Sequence, residues 1–131
     1  MIVTRMISEV VGSPEEHVNK TIDLLLDRIS EYKKIKIISE KKFEAKKMDT
    51  DPLFSGFIEY EAEFEKIEHI IDFCFDFMPS SIEIIEPLNI SISATAAADI
   101  FNELLARLHQ NDLLLRNIIA ELKLIKQKES Q

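Results

Sequence analysis

The sequence predicts an α+β protein: a ferredoxin-like β-α-β-β-α-β domain over residues 1–87, followed by a C-terminal helical extension over residues 88–131. The extension is expected to pack on the domain, on a second subunit, or on both. Three observations predict it. Apolar residues alternate with polar ones in some segments, as in strands, and recur every three or four residues in others, as in helices. The order of these segments over the first 87 residues is that of the ferredoxin-like fold. The last third has a helical period, with no Gly or Pro from residue 93 to residue 128.

The first two predicted elements are a strand and a helix. Residues 1–11 are mostly apolar and rich in β-branched side chains, which is typical of a strand, and Gly12 ends it. The Ser-Pro-Glu-Glu sequence at residues 13–16 predicts a helix start, because the serine can cap the helix and the proline suits its first position. One apolar stripe at spacings of three and four predicts a helix over residues 14–32: Val18, Ile22, Leu25, Ile29 and Tyr32.

Two runs of period two then predict an antiparallel hairpin. Residues 35–46 and 54–65 alternate between apolar and charged side chains around a short polar loop. Because apolar side chains must meet on the buried face, the predicted register pairs Phe43 with Ile58 on the inner side. On the outer side, lysines of the first run would face glutamates of the second, and such pairs stabilise a sheet by roughly 0.2–1 kcal/mol each.

Residues 66–78 fit either a helix or a strand. A polar stripe that persists for three turns favours the helix, whereas Phe and Asp also alternate as they would in a strand. Such a helix is apolar over most of its circumference, so a second surface must cover the side that a sheet does not cover. A short strand over residues 82–86 completes the β-α-β-β-α-β order.

The C-terminal third carries a heptad pattern, which predicts an interaction surface. Apolar residues alternate spacings of three and four without a slip, as in helices that pack along one seam. The candidate interface residues are Phe101, Leu104, Leu108, Asn111, Leu115, Ile118, Leu122 and Ile125. Four flanking residues are also apolar, and this width suits a helical bundle better than a two-stranded zipper: Ile100, Leu105, Leu114 and Ile119.

Asn111 leaves two alternatives for this segment. As the only polar residue of the pattern, it can fix the register against a copy of itself in one long helix. Alternatively, residues 109–112 form a turn, Asn111 or Asp112 caps a second helix, and the extension is a helical hairpin.

The charge is unevenly distributed. The formal net charge is −8, yet residues 51–103 hold twelve acidic residues and one basic residue, and the flanking segments are weakly positive. An acidic field repels nucleic acid and favours solubility. The longest uncharged run, residues 87–98, is too short to cross a bilayer.

No constellation of residues indicates catalysis, a cofactor or a metal. A single cysteine rules out a disulfide framework, and the two glycines do not form a phosphate-binding loop. An enzyme with a site built from scattered carboxylates remains an alternative; the candidates are Glu59, Glu61, Asp72 and Asp76.

One segment resembles part of a known signature. Residues 57–60, Phe-Ile-Glu-Tyr, resemble the second half of the third-strand signature of RNA-recognition motifs, in which an outward aromatic ring stacks on a base. The first half differs, because Leu53 replaces the basic residue and Ser55 replaces the first aromatic one. The resemblance implies RNA binding as a further alternative.

The sequence therefore predicts a non-catalytic interaction or scaffold protein. Its partner would be further copies of itself, as a dimer or higher homo-oligomer, or a helical protein that binds the C-terminal helix. Since the N-terminal residues lack the apolar core of a signal peptide, we expect a cytoplasmic protein without a membrane anchor. A small-ligand-binding regulatory domain is the alternative, by analogy with other domains of the predicted fold.

Overall fold

The computed structural model describes residues 1–50 and 52–130. It is an α+β structure, as predicted, and the chain divides into two compact units, Met1–Ile90 and Ser91–Gln131. The first six elements follow the predicted order, and one long helix follows them. The elements are β1 (Ile2–Gly12), α1 (Glu15–Glu31), β2 (Lys36–Lys47), β3 (Phe54–Phe64), α2 (Ile67–Phe77), β4 (Ser81–Glu86) and α3 (Ala94–Glu129).

The four strands form one antiparallel sheet in the order β2-β3-β1-β4. β1 and β3 lie at its centre and pair along their whole length, from Ile2 opposite Phe64 to Gly12 opposite Phe54. β2 and β4 lie at the edges, so β1 separates β4 from β3, although β4 follows β3 in the chain. Side chains of β3 alternate between a buried face and an outer face, as the sequence predicts.

The predicted register of the β2–β3 hairpin is wrong by one residue at its centre. Phe43 lies opposite Phe57 rather than Ile58, and Lys41 lies opposite Glu59. Two irregularities in β2, between Ile37 and Ser39 and between Phe43 and Lys46, shift the pairing. Each extra residue moves the following side chains to the other face, and an alternating pattern cannot show this.

The buried face of the sheet packs against α1. This helix buries Val18, Ile22, Leu26 and Ile29, at spacings of four, four and three. Gly56 on β3 permits close contact, because a Cβ atom there would overlap Ile22 Cδ1. The start of α1 differs from the prediction: Pro14 is its N-cap residue, without a side-chain capping bond.

Residues 67–77 are helical, which decides between the two alternatives for this segment. α2 buries Phe73 completely at the centre of an aromatic cluster. The rings of Tyr32, Tyr60 and Phe64 meet Phe73 edge-on at centroid distances of 5.6–6.2 Å, and Phe77 stacks on it at 4.7 Å. These contacts attach α2 to the core formed by α1 and β3.

α3 is a single helix of 36 residues, so the helical hairpin is wrong. Its backbone continues through residues 109–112 without a turn. At 1.5 Å per residue it is about 54 Å long. Its first turn is capped by Ser93, whose Oγ accepts a hydrogen bond from the Ala96 amide at 3.1 Å.

Among residues 1–50 and 52–130, no helix combines the length and apolar character needed to cross a membrane.

Candidate functional site

The candidate interface residues all lie on α3, and all are exposed. Of the residues of α3, each of which the structure describes, none is buried. The seven apolar interface residues are between 41 and 61% exposed, and Asn111 is exposed as well. We call these eight residues the seam: Phe101, Leu104, Leu108, Asn111, Leu115, Ile118, Leu122 and Ile125.

The seam forms one face of the helix that is apolar at seven of its eight positions, with Asn111 as the polar exception. Spacings of three and four bring side chains to the same side of an α-helix, and the helix is unbroken from the first seam residue to the last. In heptad notation the a positions hold Phe101 and three leucines, and the d positions hold Leu104, Asn111 and two isoleucines. Exposed contiguous apolar surface of this extent is typical of an interaction site.

The predicted flanking residues widen this face. Leu105, Leu114 and Ile119 are 50, 60 and 43% exposed, whereas Ile100 is half-buried. Sequence reasoning missed Leu113 and Leu124, which are about 60% exposed but lie on the side away from the seam. Their spacing does not fit the heptad, so the periodic pattern could not show them.

Charged residues of α3 lie beside the seam, and two pairs of them connect neighbouring turns. Arg107 Nη2 lies 3.8 Å from Glu103 Oε1, and Arg116 Nε lies 3.1 Å from Asp112 Oδ2. Exposed pairs of this spacing contribute only about 0.3–0.5 kcal/mol each to helix stability. The charges therefore leave the apolar face open along its length.

On the first unit, the outer face of the sheet holds a charged cluster around Arg5. The Arg5 guanidinium lies 3.6 Å from Glu59, 3.0 Å from Glu61 and 3.3 Å from Glu83. The hydrogen bond to Glu61 and the surrounding carboxylates raise the pKa of Arg5. Glu59 and Glu61 therefore balance an arginine of β1, whereas the sequence predicted that glutamates of this strand pair with lysines of β2.

The carboxylates considered as an enzyme site do not converge. Glu59 and Glu61 lie on the outer face of the sheet, whereas Asp72 and Asp76 belong to α2. Asp72 pairs with Lys34 at 3.2 Å, and Asp76 accepts a hydrogen bond from Tyr32 at 3.4 Å.

No group of three or more ligand side chains with metal-binding geometry exists in the part of the chain that the structure describes. Cys74 is a half-buried thiol, and burial raises its pKa. It is therefore protonated at neutral pH and is a poor nucleophile.

The aromatic residue that resembles an RNA-binding position lies on the outer face of the sheet. Phe57 is stacked on Phe43 with ring centroids 4.3 Å apart, and Lys41 Nζ lies 4.9 Å from the Phe43 ring centroid. One side of the Phe57 ring is therefore already occupied by another ring. The neighbouring Glu59 and Glu61 carboxylates would repel a phosphate backbone.

A cleft of about 310 Å³ is the candidate place for a small ligand. Three lysines and two glutamates contribute to its lining, which also includes His69. His69 Nδ1 is buried and has no hydrogen-bond partner among the residues described. A small hydrogen-bonding group could satisfy it, but the mixed charges of the lining select no particular class of ligand.

Comparisons with known proteins identify one family. Neither the curated proteins nor the solved structures contain a match to the chain. A family model described as the MJ0538 family matches residues 3–126, which include the sheet except its first residue, Ile2, and the entire seam. The sheet and the long helix are thus parts of one family pattern, and the chain belongs to the MJ0538 family.

Proposed function

We propose that the protein is a non-catalytic interaction protein that self-associates through the seam of α3. The observation that carries this proposal is a helix of 36 residues without a buried side chain, whose seam residues are about half exposed. Since the family model extends through residue 126, it includes all but the last three residues of the helix together with the sheet. Exposing apolar surface along a whole helix to water is unfavourable, so we expect a partner to cover it.

The energetics support an assembly of identical helices. Full burial of a Leu, Ile or Phe side chain contributes about 1.5–3 kcal/mol, so covering the exposed halves of seven such residues contributes on the order of 5–10 kcal/mol per helix. Lost translational and rotational freedom costs about 4–15 kcal/mol per association. Two helices that cover each other's seams together gain on the order of 10–20 kcal/mol, which is enough to offset the cost of one association.

For the first unit, we infer a ferredoxin-like domain over residues 1–87. The element order and the sheet order, with β1 between β3 and β4, support this inference. That fold serves many functions and assigns none here, so the function is argued from α3 alone. We also propose a cytoplasmic location, supported by the single, half-buried cysteine, which needs no oxidising compartment.

The test uses two leucines that are almost equally exposed but lie on opposite sides of α3. Leu115 lies in the seam and is 55% exposed, whereas Leu113 lies outside it and is 61% exposed. We expect the full-length protein to be oligomeric by light scattering and sedimentation velocity. Leu115→Lys should weaken association at least about 100-fold, because a lysine in the seam loses its hydration, whereas Leu113→Lys should leave association within about threefold.

Circular dichroism shows whether each variant is folded before its association is compared. A wild-type protein that stays monomeric at high micromolar concentration would refute self-association and leave a different helical protein as the partner. Equal effects of the two substitutions would show that the seam is not the contact surface.

A further inference from the structure

We propose that the copies of α3 associate in parallel and in register, in a bundle of at least three helices. The inference rests on the self-association proposed above and adds the orientation and size of the assembly. It is carried by the residues that flank the seam on the continuous helix. These are Ile100, Arg107, Leu114 and Glu121 on one side and Leu105, Asp112, Ile119 and Lys126 on the other.

The flanking residues match each other when the helices are parallel. In a parallel, in-register assembly, a residue at a g position lies beside the residue five positions later on the neighbouring copy. Arg107 then lies beside Asp112 of the neighbouring copy, and Glu121 lies beside its Lys126. The other two contacts, Ile100 with Leu105 and Leu114 with Ile119, are apolar on both sides. None of the four contacts therefore places like charges, or a charge and an apolar side chain, together.

In the antiparallel arrangement that places each seam residue opposite another seam residue, two contacts are unfavourable. It places Leu108 opposite Ile118, and by the same geometry it brings Asp112 beside Asp112 of the neighbouring copy. It also places Asn111 opposite Leu115, so that a buried amide meets only an apolar side chain. Like charges beside an interface weaken association and act against this orientation.

Asn111 supports the parallel register independently of the charges. In a parallel bundle all copies of Asn111 lie in one layer, where their amides can donate and accept hydrogen bonds among themselves. A shift by one heptad would bury each amide among leucines or isoleucines and leave it without a partner. A single polar residue in an apolar seam is a known means of fixing register.

The seam residues also favour more than two helices. The second half of the seam holds leucines at a positions and isoleucines at d positions, a combination that shifts parallel coiled coils from dimers to larger bundles. Leu114 and Ile119, at g and e positions, are 60 and 43% exposed in the single chain. A two-stranded coiled coil would leave them largely in water, whereas a larger bundle covers them.

The ion pairs within the single helix do not oppose this arrangement. Arg107 and Asp112 already contact Glu103 and Arg116 on neighbouring turns. These pairs lie at the surface and contribute only about 0.3–0.5 kcal/mol each. A carboxylate has two oxygens and accepts several hydrogen bonds, so Asp112 can contact Arg116 and the neighbouring copy at once.

A charge-reversal series tests the orientation in the full-length protein. Glu121→Lys should weaken association at least about tenfold, because it places two lysines side by side in a parallel bundle. Adding Lys126→Glu to the same chain should restore association to within about threefold of wild type. Adding Arg107→Glu should not restore it. Asp99→Lys, the same change of charge on the opposite side of α3, is the matched control and should have no effect.

The antiparallel arrangement gives the opposite result. There Glu121 would lie beside Arg107 of the neighbouring copy, so Arg107→Glu would restore the Glu121→Lys variant and Lys126→Glu would not. That pattern overturns the parallel orientation while leaving self-association intact.

A cross-linking experiment tests the same orientation without changing a charge. In a Cys74→Ser background, Ile125→Cys should form an intermolecular disulfide, because a parallel register brings all copies of residue 125 into one layer. An antiparallel pairing would place Ile125 opposite Phe101 and prevent the bond. Gln127→Cys, which faces away from the seam, is the control and should not cross-link.

The mass of the wild-type oligomer tests the size of the bundle. At least three times the monomer mass is expected by light scattering. A stable dimer would overturn the size but not the self-association, whereas a monomer would refute the proposed function itself.

Discussion

The two units of the chain differ in how far they bury their apolar side chains. In the unit Met1–Ile90, apolar side chains of β1, β3 and two helices cover each other, and residues such as Met6, Ile29 and Phe73 are fully buried, although Ile82 and Ile84 of the edge strand β4 are exposed. In α3, leucines and isoleucines occur as densely, yet none is buried. The first unit completes its core from its own elements, whereas the helix presents its apolar face as a surface.

This difference shows what apolar periodicity does and does not determine. Period two and period 3.6 specify which side of an element is apolar, but not what covers that side. In the first unit the chain supplies the cover. An exposed helix in water draws little stability from tertiary packing, so α3 should gain most of its stability from assembly.

The largest expected effect contrasts the same substitution in the two units. Phe73→Ala should destabilise the first unit by about 3–5 kcal/mol, because it empties the centre of a packed aromatic cluster. Phe101→Ala should change the stability of that unit by less than about 0.5 kcal/mol, because Phe101 is 61% exposed. Both variants are best measured in the Leu115→Lys background, so that self-association does not contribute.

Intrinsic tyrosine fluorescence during urea unfolding reports the unfolding of the first unit only. The chain has no tryptophan, and both tyrosines, Tyr32 and Tyr60, lie in the first unit. A loss of stability in Phe101→Ala as large as that in Phe73→Ala would mean that the two units do not differ in the way proposed.

The next effect concerns pH and is confined to the first unit. Burial raises the pKa of Tyr60 from its ordinary value of 10.0 to about 12, although a hydrogen bond with Ser8 acts in the other direction. Below pH 10 both the folded and the unfolded chain keep the phenol proton, so Tyr60 contributes no pH dependence there. Above pH 10 the unfolded chain loses it first, and stability should fall by about 2–3 kcal/mol up to pH 12.

Urea unfolding followed by methyl NMR of the buried residue Ile29 measures this fall. Tyr60→Phe removes the ionisable phenol and should remove most of the pH dependence. A smaller part remains, because burial also raises the pKa values of Tyr32 and Cys74, and the hydrogen bond to Asp23 raises that of Lys42. An unchanged fall in the Tyr60→Phe variant would assign the base sensitivity to other groups.

The elements of the fold could be predicted from the sequence because each has a strong local signal. The stripe of α1 and the alternation of β3 follow directly from the spacing of apolar residues. The register of β2 could not be predicted, because it depends on two irregularities, of which the one between Phe43 and Lys46 places Phe43 opposite Phe57 on the outer face. A one-residue shift leaves no mark in composition or in local periodicity.

The candidate site shows the same division. The seam could be predicted because a heptad pattern is local. Of the two interpretations of Asn111, the structure has the one that predicts a continuous helix. The contacts of Arg5 with three carboxylates could not be predicted, because they join residues of β1, β3 and β4 that are far apart in sequence. Interactions across strands require the register, which only the folded chain provides.

The smallest expected effect links the start of α3 to its assembly. Ser93→Ala removes the side-chain acceptor of the Ala96 amide, which should cost about 1 kcal/mol of helix stability. If helix formation in α3 is coupled to assembly, the loss should appear as about fivefold weaker association per helix and leave tyrosine-detected unfolding unchanged. Ser93→Asp keeps an acceptor at the helix start and should associate like wild type. Sedimentation equilibrium measures the association. Equal association of all three proteins would show that the first turn of α3 is not coupled to assembly. The part of α3 whose stability depends on assembly would then start at the first seam residue, Phe101.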